Sequence, residues 1–301
     1  MAELAPIVLF TYKRLDTLKL TVEALQQNYL AVDSDLYIFS DAAKGEQDVE
    51  AVNNVRNYIK SVRGFKSITI YESQLNKGLA TSIIEGVSQI LKIHETVIVL
   101  EDDLVSSSNF LSYMNQALHF YKNEDKVFSI AGYSLPIHND ESESDVYFTS
   151  RSSSWGWATW KDRWVTIDWE VKDYPAFKKN NLLRRDFNKM GSDLSQMLDR
   201  QMQGKINSWA IRWCYHQFKY GLLSVHPFMS KIENVGFNSP DASNTKERFN
   251  RYQTKLDKGK KMAFLFSKEV RLDSEIIQQF TKPFSIQNRI KYKIINLLFK
   301  N

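Results

Sequence analysis

A chain of 301 residues, 43% of them hydrophobic and 25% charged, is long enough to bury a substantial core and too apolar to be disordered. Forty basic against 35 acidic residues give a net charge of +5, which suits phosphate-rich ligands, but the two signs are interspersed, and without a recognition motif or basic-aromatic stripe nucleic acid is not an expected partner. The single Cys214 excludes an internal disulfide and fits a reducing, cytoplasmic setting, while no stretch approaches the roughly 20 apolar residues that span a bilayer.

The first half alternates two periodicities. Ala5 to Phe10 is an apolar run that predicts a strand, and Leu15, Leu18, Val22 and Leu25 then recur at helical spacing, with Asp16 as N-cap. Leu36 to Phe39 is a second strand, followed by a helical stripe through Val49, Val52, Val55, Ile59 and Val62. Ser67 to Tyr71, the helical positions Leu79, Ile83, Val87 and Ile90, and the wholly apolar Val97 to Leu100 complete the series. Such alternation predicts a mostly parallel sheet covered by helices, with Val97 to Leu100 buried on both faces at its centre. Ligands of open sheets bind beyond the carboxyl ends of the strands, so the residues of interest are Thr11 to Arg14, Asp41, Asn76 to Gly78 and Glu101 to Asp103. The second half is less regular. Ser150 to Trp169 crowds aromatic, glycine and small polar residues into a stretch read as irregular, and helical patterns return at Leu194 to Met202 and Trp209 to Tyr220.

Three consecutive acids directly after a buried strand repel one another unless a cation, hydrogen bonds or solvent offset their charge. A hard divalent ion, Mn²⁺ or Mg²⁺, is one answer, because it accepts carboxylate oxygen and keeps positions for water and phosphate. A plain acidic turn leading into the next helix is the other. Trp155, Trp157, Trp160 and Trp164 supply indole faces for a sugar ring or serve as core; Trp155 and Trp157, on either side of Gly156, are the acceptor-site candidates.

The string Val99-Leu100-Glu101-Asp102-Asp103-Leu104, followed by Asn109-Phe110-Leu111, resembles the metal-binding segment of GT-A fold glycosyltransferases, including bacterial family 2 enzymes and N-acetylglucosaminyltransferase I. Pro6 to Arg14 is similar to their first nucleotide-binding strand and loop, Asn76 to Ala80 to their third loop, and Ser154 to Trp160 to the aromatic segment of the bacterial relatives. The resemblance implies a Rossmann-like GT-A domain over residues 1–255, with a nucleotide-sugar half at 1–125 and an acceptor half at 126–255, followed by a helical tail at 256–301. It implies that Asp103 contacts the metal and that Asp102 or Glu101 lies toward the donor's ribose and sugar. It further sets Asp41 at the edge of a uracil-like base and Arg14 and Lys77 near the phosphates, in a donor site that includes Thr11 and Tyr12.

Such a reaction transfers a sugar, UDP-linked by expectation, to a hydroxyl of a surface glycan or lipid-linked glycan, with inversion. An inverting enzyme needs a carboxylate base. Where relatives carry an acid before Ser208-Trp209, this chain has Asn207; either the base lies elsewhere, with Asp199, Asp193 and Asp168 as candidates, or the reaction is retaining, or the chain is impaired as a catalyst. Asn244 stands where relatives often have a metal-ligating histidine, and His226 is the substitute candidate. Activated-sugar synthesis by a nucleotidyltransferase is an alternative, although the loop Thr11 to Arg14 lacks the glycines such enzymes need; a catalytically silent donor-binding scaffold is another. At the end of the chain, Ile286, Ile290, Ile294 and Leu297 share a helical face among Arg289, Lys291 and Lys293, with no acid between Ser285 and Asn301. This basic amphipathic helix suits an anionic membrane surface on the inner face, or packing against the body or a second subunit.

Overall fold

A computed structural model of the chain describes residues 3–139, 142–238 and 250–298. The predicted series appears as β1 (Ile7–Thr11), α1 (Leu15–Gln26), β2 (Asp35–Ser40), α2 (Glu46–Ser61), β3 (Ser67–Glu72), α3 (Leu79–Ile90) and β4 (Thr96–Glu101). Asp16 lies inside the first turn of α1, and Arg14 takes the N-cap position without a side-chain bond, so the expected cap is corrected by two residues. There the Asp16 carboxylate still opposes the positive end of the helix.

Next come β5 (Leu104–Ser106), α4 (Phe110–Phe120), β6 (Val127–Ala131), β7 (Val146–Thr149) and β8 (Trp157–Trp160). Short helices α5 (Lys161–Trp164), α6 (Tyr174–Lys179) and α7 (Asn181–Phe187) lead to α8 (Leu194–Met202), α9 (Trp209–Lys219), β9 (Leu223–Pro227) and β10 (Ile232–Asn234). Among the described residues, eight strands form one sheet in the order β3-β2-β1-β4-β8-β6-β9-β7, and β5 pairs with β10 in a separate ribbon. β1, β2, β3 and β4 run parallel, as do β6 and β9, while β8 lies antiparallel between β4 and β6, and β7 antiparallel to β9. The result is a mixed, mainly parallel α/β sheet flanked by helices.

Alternating residues of the central strands feed two cores. Ile7, Leu9, Ile98 and Leu100 join α1, α2 and α4 on one face, and Val8, Phe10, Val97 and Val99 join α3 and α9 on the other. Such two-sided burial explains why β1 and β4 read as unbroken apolar runs. It also explains the missed strand: Trp157, Ala158, Thr159 and Trp160 are all buried, so the segment read as irregular holds β8, with no alternation to announce it.

The expected helical tail begins later than residue 256. The chain from Asn250 to Asp273 carries no helix; it crosses α4, where Phe264 packs edge-on against Tyr113 at 5.3 Å and the Lys261 carbonyl accepts from Asn109 Nδ2 at 2.9 Å. Only then do α10 (Ser274–Thr281) and α11 (Ile286–Leu298) form. No helix among the described residues is long and apolar enough to cross a membrane.

Candidate functional site

Strand order fixes where the loops meet. From β1 the chain runs outward through β2 and β3, then returns to place β4 on the other side of β1, so the switch point lies between β1 and β4. Arg14, beyond β1, crosses this crevice to pair with Asp102 and, at 2.8 Å, with Asp103 Oδ2. The Tyr12 backbone N–H also faces Asp102 Oδ2 at 3.4 Å. All three ionic side chains are largely enclosed, with 15%, 6% and 11% exposure for Arg14, Asp102 and Asp103. Burial works against the Arg14 charge, but the two carboxylates outweigh it and raise its pKa. Burial lifts Asp102 to about 6 even with Arg14 beside it. Desolvation and the charges of Asp103 and Asp102 push Glu101 up to about 8.

Asp103 is enclosed from the other side by the turn after β10. Its carbonyl accepts from Val235 N at 2.9 Å, and its Oδ1 faces Asn234 Nδ2 at 3.5 Å. A Cβ on Gly236 would come within 2.2 Å of Asp103 Oδ2, so only glycine lets this turn approach the acid. A second glycine shapes the aromatic wall. Gly156 has φ of +59°, and a Cβ there would meet Ile232 Cγ1 at 2.6 Å; this bend sends Trp155 and Trp157 to different surroundings.

Between these elements lies a cavity of about 330 Å³ whose lining includes Arg14, Glu101, Asp103, Trp155, Arg151 and Phe284. Trp155 stands edge-on to Tyr133, Phe237 and Tyr252, with centroids 4.6, 5.4 and 5.7 Å away. Trp157 is only 1% exposed and packs with Trp213 at 4.1 Å, Trp209 at 5.1 Å and Trp164 at 5.7 Å. The acceptor role expected of Trp157 is therefore corrected to core packing, while Trp155 fronts the cavity.

Other expected site residues are engaged locally. Asp41 was assigned to a base edge, yet its Oδ1 accepts from Ala42 N and Lys77 N, both at 2.9 Å, and its Oδ2 from Gly78 N at 2.8 Å and Asn76 Nδ2 at 3.2 Å. Four donors use its acceptor capacity to pin the loop after β3. Lys77 turns its ammonium to Glu85 at 2.7 Å, not toward the acidic turn. Thr11 is buried at the end of β1, and the Tyr12 hydroxyl donates to Asp48 at 2.8 Å while accepting from Lys44 N at 3.0 Å.

The three base candidates are likewise held. Asp199 makes a bidentate pair with Arg184 at 2.7 and 2.8 Å and accepts from Tyr174. Asp168 accepts from Glu170 N and Lys172 N, closing a turn. Asp193 is locked to Arg151 through contacts at 2.9 and 3.1 Å, and both the ion pair and the hydrogen bond hold its pKa down against burial. None of the three lines the cavity. His226 does line it, but its Nδ1 and Nε2 face the carbonyls of Tyr133 and Arg151 at 3.1 and 3.4 Å, and burial lowers its pKa to about 4. Its proposed metal role is thus corrected to a strand-packing role. Asn244 lies outside the described residues.

Arg151 was missed. It sits under the ring of Phe284 at 3.8 Å, partly buried and held by Asp193, and its only sequence signal is its position just after a strand that was itself unread. Cys214, by contrast, is a buried free thiol against Ser152.

The fit of a divalent cation can be judged from the donor set. No group of three or more His, Cys, Asp or Glu side chains arranged to hold a metal occurs among the described residues. Among the described residues, Asp103 Oδ1 is met only by the Asn234 amide, at 3.5 Å, and Glu101 borders the cavity beside it. One or two carboxylates suffice for Mg²⁺ or Mn²⁺ when phosphate oxygens and water complete the shell, so the residues fit an ion brought with a phosphate ligand.

No known protein family and no curated protein matches the sequence. Among solved structures, a Pyrobaculum calidifontis mannosyltransferase in complex with GDP-Man and Mn²⁺ is similar at 10% identity and a TM-score of 0.34, over 54% of this chain and 46% of that one. A fragment of S. aureus TarS is similar at 10% identity and a TM-score of 0.34, over 57% and 49%. An apo UDP-glucose pyrophosphorylase aligns at 11% identity and 0.35, over 77% and 92%. This chain thus spans about half the length of the first two. Likeness at this level carries no inference about activity.

Proposed function

We propose that the protein is a glycosyltransferase that binds a nucleotide-diphosphate sugar at the acidic turn and passes the sugar to a hydroxyl acceptor in the aromatic cavity. The observation that supports this most is the meeting of Arg14 with Asp102 and Asp103 at the switch point, next to a cavity walled by Trp155. Asp103 and, beside it, Glu101 would hold a divalent cation, which when bound supplies Lewis-acid stabilisation to a leaving diphosphate. Arg14 adds a fixed positive charge to the same crevice, positioned to meet anionic oxygen without reorganising. Trp155 presents a flat apolar face to a pyranose, and the Arg151 guanidinium, fixed by Asp193, gives hydrogen-bond donors in the lining of the same cavity. The UDP preference and the inverting outcome remain parts of this proposal, as do the limits 1–255 and 256–301 for the transferase domain and its tail.

The test is product analysis with a panel of nucleotide sugars, Mn²⁺ and simple glycoside acceptors. The proposal expects release of a nucleoside diphosphate from one donor, stimulated by an acceptor that gains mass by one sugar. Pyrophosphate formed from a nucleoside triphosphate and a sugar 1-phosphate, with no diphosphate release, would instead make the protein a nucleotidyltransferase.

A further inference from the structure

Helix α11 is turned with its apolar side outward. Ile286, Ile290, Ile294, Leu297 and Leu298 are 62%, 53%, 49%, 58% and 75% exposed, and none of the helix's described residues is buried. The less exposed residues of the helix are Asn288, Arg289, Tyr292, Ile295 and Asn296, polar or aromatic but for Ile295: Arg289 donates to Ser192 Oγ at 3.1 Å, Asn288 to the Lys282 carbonyl, and Tyr292 borders a cavity shared with Trp155 and Tyr252. In a helix docked for core burial the pattern is the reverse. At helical spacing, Lys291 and Lys293 fall on opposite margins of the exposed stripe, both exposed, and the sequence from Ser285 to Asn301 contains no acid.

We propose that this face is a docking surface for an anionic lipid bilayer, with α11 lying in the plane of the interface. The aliphatic stripe would enter the acyl boundary, and lysines on both margins would reach the headgroups, their stems spread along the same boundary. Charge separates this occupant from a second copy of the chain. Two stripes packed about a two-fold axis bring lysine margins together with no acid on either helix to offset them, whereas anionic headgroups are complementary to both margins. Docking through this face sets the aromatic cavity, whose wall includes Phe284 just before the helix, beside the lipid surface. The inference does not depend on the reaction assigned to the acidic turn.

Vesicle co-sedimentation of the full chain tests it, without nucleotide or metal. Vesicles of phosphatidylcholine with 30 mol% phosphatidylglycerol, a composition set at roughly the anionic level that basic segments respond to, are compared with phosphatidylcholine alone. Partitioning is expected to be at least about tenfold stronger on the anionic vesicles and to fall about tenfold in Ile290→Asp/Ile294→Asp and in Lys291→Glu/Lys293→Glu. Because these side chains are solvent-exposed, unchanged thermal unfolding of the variants verifies the fold. Equal partitioning of wild type and variants would overturn the proposal. So would a dimer seen by sedimentation velocity that Ile290→Asp/Ile294→Asp dissociates, with no vesicle binding by the wild type.

Discussion

At the scale of single residues, the pair around Gly156 separates binding from stability. Trp157 is buried among three other indoles, and its truncation leaves a cavity that surrounding rings fill only in part. Trp157→Ala is expected to cost about 3–5 kcal/mol in denaturant unfolding. Trp155, on the cavity wall, is only partly buried, so Trp155→Ala is expected to cost less stability than Trp157→Ala while weakening acceptor saturation at least tenfold. Equal losses of stability in the two variants would contradict the separation. Both tryptophans were legible as candidates, but which one reaches the cavity was not, because the direction of each ring is set by a positive φ at Gly156 that sequence spacing does not encode.

At the scale of elements, legibility followed periodicity. Helices α1, α2 and α3 and strands β1 to β4 carry patterns that a single segment expresses by itself, and their boundaries fall within a few residues of those expected. β8 does not, since burial on both faces removes alternation and its aromatic residues read as a loop. The same limit applies to the candidate site. That Glu101 to Asp103 end a central strand was readable from Val97 to Leu100; that Arg14 closes the acidic pair was not, because the two loops are 88 residues apart and meet only through strand order. Asp41 shows the converse: its type and position fit ligand binding, while its surroundings use it to hold the loop after β3. An acid beyond a parallel strand is therefore a candidate whose role depends on the donors around it.

At the scale of the whole molecule, buried histidine links stability to pH. The folded-state pKa of His226 is about 4, against 6.5 for the ordinary side chain. As pH falls through 6.5 the unfolded chain takes up a proton that the folded chain refuses, so this group's contribution is complete above that pH and is lost progressively down to about 4. The loss amounts to about 2 kcal/mol at pH 5. Other buried groups titrate in the same range, so the test is the difference between variants: acidification from pH 7 to pH 5 in denaturant unfolding is expected to favour His226→Gln over wild type by about 2 kcal/mol, and an equal change in both would contradict it.

The central claim concerns the acidic turn, where the two halves of the sheet bring a cationic loop, three carboxyl groups and an aromatic cavity together. Its most direct test is calorimetric titration of UDP, GDP, CDP and TDP, with and without Mn²⁺, into wild type and Asp103→Asn, a variant of nearly unchanged shape. One diphosphate is expected to bind wild type in a Mn²⁺-dependent manner, and the substitution to lower this affinity at least tenfold, with an unchanged unfolding midpoint. Mn²⁺-dependent affinity that survives the substitution, or the failure of wild type to bind any of the four, would contradict the claim.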